Sequence, residues 1–258
     1  TWKRSGARRP TCWSAACKVK IDTTGPDDPK SVASDSHSPS VWSNRTNISV
    51  AFLAAADNGS GIAGYSIVWD HANDTVLDNT TELNWSTLKA VSPPQADNAS
   101  IYFHIRAVDN VGNGAAGAVH AGPFSIDTSS PLNPVVSSGT HEPSVWSNLT
   151  GCAVSWSGAD GTLSGIGGYS TEWDHLAATT PDASVDLVGA IGDAGSPELT
   201  DDTWYFHIRT MDEAGNWAPM AAHFGPVLID SSAPSNPLRM NSSHAPSVWS
   251  NDNTVNIS

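Results

Sequence analysis

The sequence predicts an all-β chain built of tandem sandwich modules, and three observations predict it. The string Pro-Ser-Val-Trp-Ser-Asn occurs at 39–44, 143–148 and 246–251, spaced by 104 and 103 residues. Apolar residues alternate with polar ones in short runs, the mark of half-buried strands. Charged residues make up only 15% of the 258, while 21 Gly and 17 Pro supply turns rather than helices. A repeat of this length is a whole domain with its own core, unlike the 20–50 residue units of solenoids.

Taken along the chain, each run has a physical reading. A His stands two residues ahead of every copy of the repeated string, at His37, His141 and His244. In 48–52, Ile48, Val50 and Phe52 share one face, and Cys152, Val154 and Trp156 repeat the pattern. Asp57-Asn58-Gly59-Ser60-Gly61 then marks a turn, because Gly and Asn tolerate the backbone angles a turn needs. Ser-Gly-Ile-x-Gly-Tyr-Ser leads through Tyr65, Ile67 and Trp69 to Trp-Asp-His, ending at His71 and at His175. The late run is clearest. Ile101, Phe103, Ile105 and Ala107 point inward against Tyr102, His104 and Arg106; Trp204, Phe206 and Ile208 oppose Tyr205, His207 and Arg209. Asp109 to Asn113 turns the chain again, and Ile-Asp closes units at Asp22, Asp127 and Asp230. No window shows helical periodicity.

Seven strands per hundred residues predict an immunoglobulin-like β-sandwich. The boundaries follow: 1–30 the C-terminal remnant of a preceding module, 31–134 and 135–237 two complete modules, and 238–258 the N-terminal start of a following one. Pro131, Pro134, Pro234 and Pro237 interrupt strand pairing at the links. The second module resembles a fibronectin type III domain of the bacterial kind. The resemblance rests on Val154-Ser155-Trp156, Gly165-Ile166-x-Gly168-Tyr169, Leu199 ahead of Trp204-Tyr205-Phe206-His207-Ile208-Arg209, and Asp212-x-x-Gly215-Asn216. In the first module Phe52 replaces the strand Trp and Ala96 stands where Leu199 does. The family's corner tyrosine position holds Trp204 or Ile101, each with a Tyr one residue later. The resemblance implies extracellular spacing, adhesion or accessory roles, and no chemistry.

The net charge of −14 is unevenly spread, since seven of the twelve basic residues lie within 1–30. An acidic body repels phosphate backbones, so nucleic acid is excluded as a partner. No apolar run approaches the ~20 residues of a membrane helix, and no membrane contact is expected of this segment. Three cysteines, Cys12, Cys17 and Cys152, give no disulfide framework; Cys152 reads as a small buried thiol in a strand. Residues 1–16 break the repeat and read as a divergent unit or a shifted frame. Ten Asn-x-Ser/Thr triplets, Asn44, Asn47, Asn79, Asn98 and Asn148 among them, are expected to carry sugars if the producer glycosylates.

Three groups of residues are candidate sites. All nine histidines fall at four repeat positions, and His104, His120 and Asp70 lie on neighbouring strands where a metal is conceivable. The alternation places His104 outward between Tyr102 and Arg106, however, on a solvated face. The oxygen-rich loops at Asp57, Asn58, Asp109, Asn110, Asn113, Asp212, Glu213 and Asn216, with the junction residues Asp127 and Asp230, invite calcium but match no calcium-loop spacing; turn capping explains them. Trp69, Trp156, Trp173 and Trp204 read as core, and Trp42, Trp146 and Trp249, which recur at the module entrance, as plugs of the sandwich end or of the domain junction. Trp85 and Trp217 remain as surface candidates for sugar. No nucleophile elbow, phosphate loop or zinc-protease motif is present. Catalytic residues, cofactor and metal are therefore expected to be none, and the chain is expected not to be an enzyme. It reads as structural or adhesive spacer modules of a large secreted or cell-surface protein, located outside the cell. Its expected partners are an extracellular protein or glycan and adjacent modules of the same chain. The alternatives are an accessory repeat region of a secreted hydrolase and a carbohydrate- or calcium-dependent binding module.

Overall fold

The computed structural model describes residues 19–236, 241–249, 251 and 253–257. Cys12, Cys17 and the irregular stretch 1–16 lie outside the described residues. Sixteen strands and no helix are found among them. The first repeat holds β1 (Lys30–Ser34), β2 (Trp42–Ser43), β3 (Ser49–Leu53), β4 (Ile62–Asp70), β5 (Leu83–Asn84), β6 (Lys89–Val91), β7 (Asn98–Asp109) and β8 (Val119–Ile126). The second holds β9 (Val135–Ser138), β10 (Trp146–Ser147), β11 (Ala153–Ser157), β12 (Ile166–Asp174), β13 (Leu187–Val188), β14 (Asp193–Gly195), β15 (Asp202–Asp212) and β16 (Ala222–Ile229).

Each repeat pairs a three-stranded sheet with a five-stranded one. The orders are β1-β3-β6 and β2-β8-β7-β4-β5 in the first, β9-β11-β14 and β10-β16-β15-β12-β13 in the second. The inner faces carry the alternation read from sequence. Ile48, Val50, Ile101, Phe103, Ile105 and Ala107 have no exposed surface, and Phe52 and Tyr65 pack edge to face at 4.9 Å. Burying side chains of this size stabilises by about 1.5–3 kcal/mol each. In the second repeat Val154, Trp156, Tyr169, Leu199, Phe206, Ile208 and Ile229 fill the same layer, with Cys152 buried beside them.

Eight strands per repeat replace the seven expected. The extra pair, β2 and β10, is the repeated Pro-Ser-Val-Trp-Ser-Asn string itself. Ser40 and Ser144 take left-handed φ of 61° and 67°, swinging Trp42-Ser43 and Trp146-Ser147 into short parallel pairing with β8 and β16. The preceding histidine ties this corner down. His37 Nε2 donates to the Arg45 carbonyl at 2.9 Å and its Nδ1 accepts from Ser36; His141 does the same with Leu149 and Thr140. A carbonyl only accepts, so the proton must sit on Nε2. Pairing along an edge leaves the Trp side chain outside the sandwich. Trp42 is half-buried, Trp146 is 62% exposed and Trp249 fully exposed, which corrects their reading as plugs.

The structure makes two smaller corrections. Gln95 rather than Ala96 is the counterpart of Leu199, since their N–H groups donate to Thr46 and Thr150 carbonyls respectively. Trp204 is only half-buried; its Nε1 donates to the Thr200 carbonyl and its ring lies 3.9 Å from that of His175.

The chain divides into two compact units. One comprises the residues up to Leu132 with Asp160–Gly168 and Met211–Ala218; the other comprises Asn133–Ala159, Tyr169–Thr210 and the residues from Pro219 onward.

Candidate functional site

Two polar constellations recur, and both are built from motifs that the sequence shows twice. The first surrounds the closing aspartate of a repeat. Asp22 Oδ2 accepts from the Ser60 N–H at 2.6 Å, its Oδ1 from Thr24, and its carbonyl from Asn113 Nδ2. Asp127 is held in the same way: Oδ2 by the Ser164 N–H at 2.8 Å and the Thr162 hydroxyl, Oδ1 by the Ser129 N–H, and its carbonyl by Asn216 Nδ2. Asp127 is completely buried. Burial pushes its carboxyl up, but the donors from Ser164, Ser129 and Thr162 outweigh that and hold it below the ordinary range.

The donors are the two loop motifs. Ser60 and Ser164 open Ser-Gly-Ile, where Gly61 and Gly165 adopt φ of 86° and 92°, a turn that places the serine N–H over the aspartate. Asn113 and Asn216 end the Asp-x-x-Gly-Asn turns. Asp109 and Asp212 fix those turns by accepting from the asparagine N–H at 2.8 Å and from its Nδ2 at 2.8 Å. Turn capping by these acids is therefore as expected, yet the capped turns also reach outward to grip the Ile-Asp strand end. The sequence reading missed that link. Its signal was the joint recurrence of Ile-Asp, Ser-Gly-Ile and Gly-Asn. The grip also explains why Asp160–Gly168 and Met211–Ala218 cluster with the unit that contains Asp127.

At the first such site Asp22, Asp57 and Asp109 bring carboxylate oxygens within 4.8 Å of one another. Asp57 Oδ2 accepts from the Gly59 and Gly61 N–H groups, and Asp109 Oδ1 from Val111 and Asn113. N–H dipoles thus compensate much of the crowded negative charge. Asn58 and Glu213 are exposed, and Asp230 is exposed at the end of β16.

The second constellation lies on the outward face of the five-stranded sheet. His104 has no exposed surface, which corrects its placement on a solvated face. The cause is the segment 71–82 between β4 and β5. Leu77 in it is buried and its carbonyl accepts from Arg106 Nη1 at 3.0 Å, Thr75 donates to Asp70, and Asp78 accepts from Ser66. Beneath it, Asp70 on β4, His104 on β7 and His120 on β8 stand in a row: Asp70 Oδ1 to His104 Nε2 at 2.9 Å, His104 Nδ1 to His120 Nδ1 at 2.6 Å. The second repeat has Asp174, His207 and His223 at 3.0 and 2.7 Å, with Thr179 donating to Asp174 and Ser170 to Asp182. The three residues singled out from sequence do converge, but as a line rather than a cage.

Trp85 is 64% exposed, as expected, while Trp217 is half-buried. Among the described residues no helix is long and apolar enough to cross a membrane.

With this geometry each repeat is an all-β, immunoglobulin-like sandwich of a three-stranded and a five-stranded sheet. No family model and no curated protein matches the chain. Among solved structures it is similar to the chicken CNTN1 FN1–FN3 domains at 13% identity and a TM-score of 0.37, over 82% of this chain and 71% of that one. It is also similar to the central fibronectin-III array of RIM-binding protein, at 15% identity and a TM-score of 0.28, over 89% and 78%. Both likenesses are too remote to transfer an activity or a partner.

Proposed function

We propose that this chain is a non-catalytic structural spacer within a longer secreted or cell-surface protein, holding or presenting neighbouring segments at a distance. The observation that carries the reading is the duplicated grip on Asp22 and Asp127. Each closing aspartate is anchored by the Ser-Gly-Ile and Gly-Asn loops that follow it in sequence, at 2.6 and 2.8 Å, so that one repeat's end is locked as the next begins. A device of this kind serves an array, because every copy performs the same task. Adhesion enters through exposed loops and through whatever the flanking segments supply.

Single-molecule stretching tests this. A spacer yields two separate unfolding events, each releasing roughly 100 residues and so about 350 Å of contour at about 3.5 Å per residue. One merged event overturns the reading, as does turnover of any substrate by the purified chain.

Calcium-dependent binding is the second reading, favoured by the approach of Asp22, Asp57 and Asp109 within 4.8 Å. Calcium prefers six to eight oxygens. Calorimetry showing one calcium per chain, abolished by Asp57→Asn, would move the function from passive spacing to a cation-stiffened junction.

A further inference from the structure

At segment 71–82 the buried imidazole of His104 and the exposed imidazole of His120 face one another through the same ring atom. Burial pushes the Asp70 carboxyl up, but Thr75, the Ala72 N–H and His104 outweigh it and keep it ionised. A carboxylate accepts only, so His104 carries its proton on Nε2 and turns a bare Nδ1 lone pair toward His120. The 2.6 Å gap between the two Nδ1 atoms is then closed by a single proton supplied by His120. A carboxylate on one nitrogen of a buried imidazole, with the other nitrogen free to donate electrons, is the wiring of a metal-bound histidine. Asp174, His207 and His223 reproduce it.

We propose that each pair, His104 with His120 and His207 with His223, binds one late first-row divalent ion through its two Nδ1 atoms, in place of the proton they share. Imidazole nitrogens favour copper above nickel and zinc. Metal–nitrogen bonds of about 2.0–2.1 Å at a right angle set the nitrogens about 3 Å apart. The observed 2.6 and 2.7 Å therefore need to open slightly, and the His120 and His223 rings must swing sideways by about 2 Å so that their lone pairs turn onto the ion. His120 and His223 are exposed and can give that much, while His104 and His207 stay fixed. Access is open: a cavity of about 270 Å³ lined by Asp74, Thr75, Arg106 and His120 adjoins the first pair. The Arg106 charge is turned away into the Leu77 and Ala115 carbonyls. The sequence assigned no metal because this face read as solvated; its burial removes that ground.

The test is copper titration of the whole chain by calorimetry at pH 7.5 in a non-coordinating buffer, with electron paramagnetic resonance of the bound ion. Two ions per chain with nitrogen hyperfine coupling are expected. His120→Ala should leave one, and His120→Ala with His223→Ala should leave none. Both are exposed positions, and a melting curve verifies folding. Asp70→Asn should weaken the first site about ten-fold. His71→Ala with His175→Ala should leave two. Binding that survives the double variant at 120 and 223, or that disappears with His71 and His175, overturns the proposal, as does copper binding no tighter than free imidazole.

Discussion

The two repeats differ in their cores and agree in their polar layers. Ile48 becomes Cys152, Phe52 becomes Trp156, and Gln95 becomes Leu199. On the β7–β8 and β15–β16 pairs the aromatic residue changes place: Ile101 faces Phe124 and Phe103 faces Ala121, whereas Trp204 faces Val227 and Phe206 faces Phe224. The inward pattern is kept while the side chains that fill it are recut, as cores allow when patterning is retained. By contrast, Asp70, His104 and His120 match Asp174, His207 and His223 residue for residue, with distances equal within 0.1 Å. A duplication copies everything at first. What has since diverged is what shape-filling tolerates, and what has not is held by directional bonds, where no other residue meets the same donors and acceptors.

That contrast can be broken from the core side first. Phe103 and Phe206 are one aromatic pair that both cores share, and each is at least 99% buried. Replacing either by Ala should cost about 3–5 kcal/mol, read by denaturant unfolding. The loss should be larger for Phe206, whose ring meets Trp156 stacked at 6.1 Å and Trp173 tilted at 5.1 Å, than for Phe103, whose ring meets Trp69 tilted at 4.6 Å. Equal losses would show that the recut cores are equally adaptable.

The polar layer comes next. His104→Ala removes a buried ring and leaves the Asp70 carboxylate, which is 31% exposed, without its neighbour. Stranding a partly buried charge and opening a void should together cost about 2–4 kcal/mol. His104→Phe, which refills the volume but not the bonds, should recover only part of this. If the phenylalanine variant matches the parent, the layer is packing and its identity in both repeats is inherited rather than required.

Much of this architecture was readable beforehand. The alternation from Ile101 to Ala107 told which side chains face inward, because a strand has only two faces. The turns at Asp57–Gly61 and Asp109–Asn113 were marked by their own residues. Burial of the outer face was not readable, since alternation says nothing about what lies over the polar side. Segment 71–82 carries no periodicity and is held to the sheet by single polar contacts such as Thr75 with Asp70. The exposure of Trp146 was hidden for the same reason: a two-residue edge pairing leaves no pattern. The grip on Asp127 joins residues 37 and 89 positions apart, and only the joint recurrence of three motifs signals it.

The grip itself predicts an acid-sensitive and locally graded response. Asp127→Ala should cost about 1–3 kcal/mol by stranding the Ser164 N–H in a buried site. Hydrogen exchange should then quicken at Ser164 and Asn216 before it does at Ile105. The pH dependence has a fixed sign. Asp127 is held below the ordinary carboxylate range, and Asp201, gripped by the Ser231 and Ser232 hydroxyls and the Ser231 N–H, is lowered to about 2. Folded values below unfolded ones mean that the stabilisation is complete above about pH 4 and is lost as pH falls toward about 2. Stability that rises as pH falls through that interval would contradict the donor geometry.

The smallest effect separates the repeated string from the residues it carries. Trp146 is 62% exposed on an edge pairing of two residues, so Trp146→Ala should change stability by no more than about 0.5 kcal/mol. Half-buried Trp42 should lose somewhat more under the same change. The corner that presents both should stay intact, because it is fixed by backbone and histidine: the Ser144 N–H on the Pro226 carbonyl at 2.9 Å, and His141 Nε2 on Leu149. His141→Ala should therefore destabilise more than Trp146→Ala in the same denaturant titration. The reverse order would mean that the tryptophan is packed in solution, and the comparison between a recut core and a fixed polar frame would then have to include this corner among the parts that depend on shape.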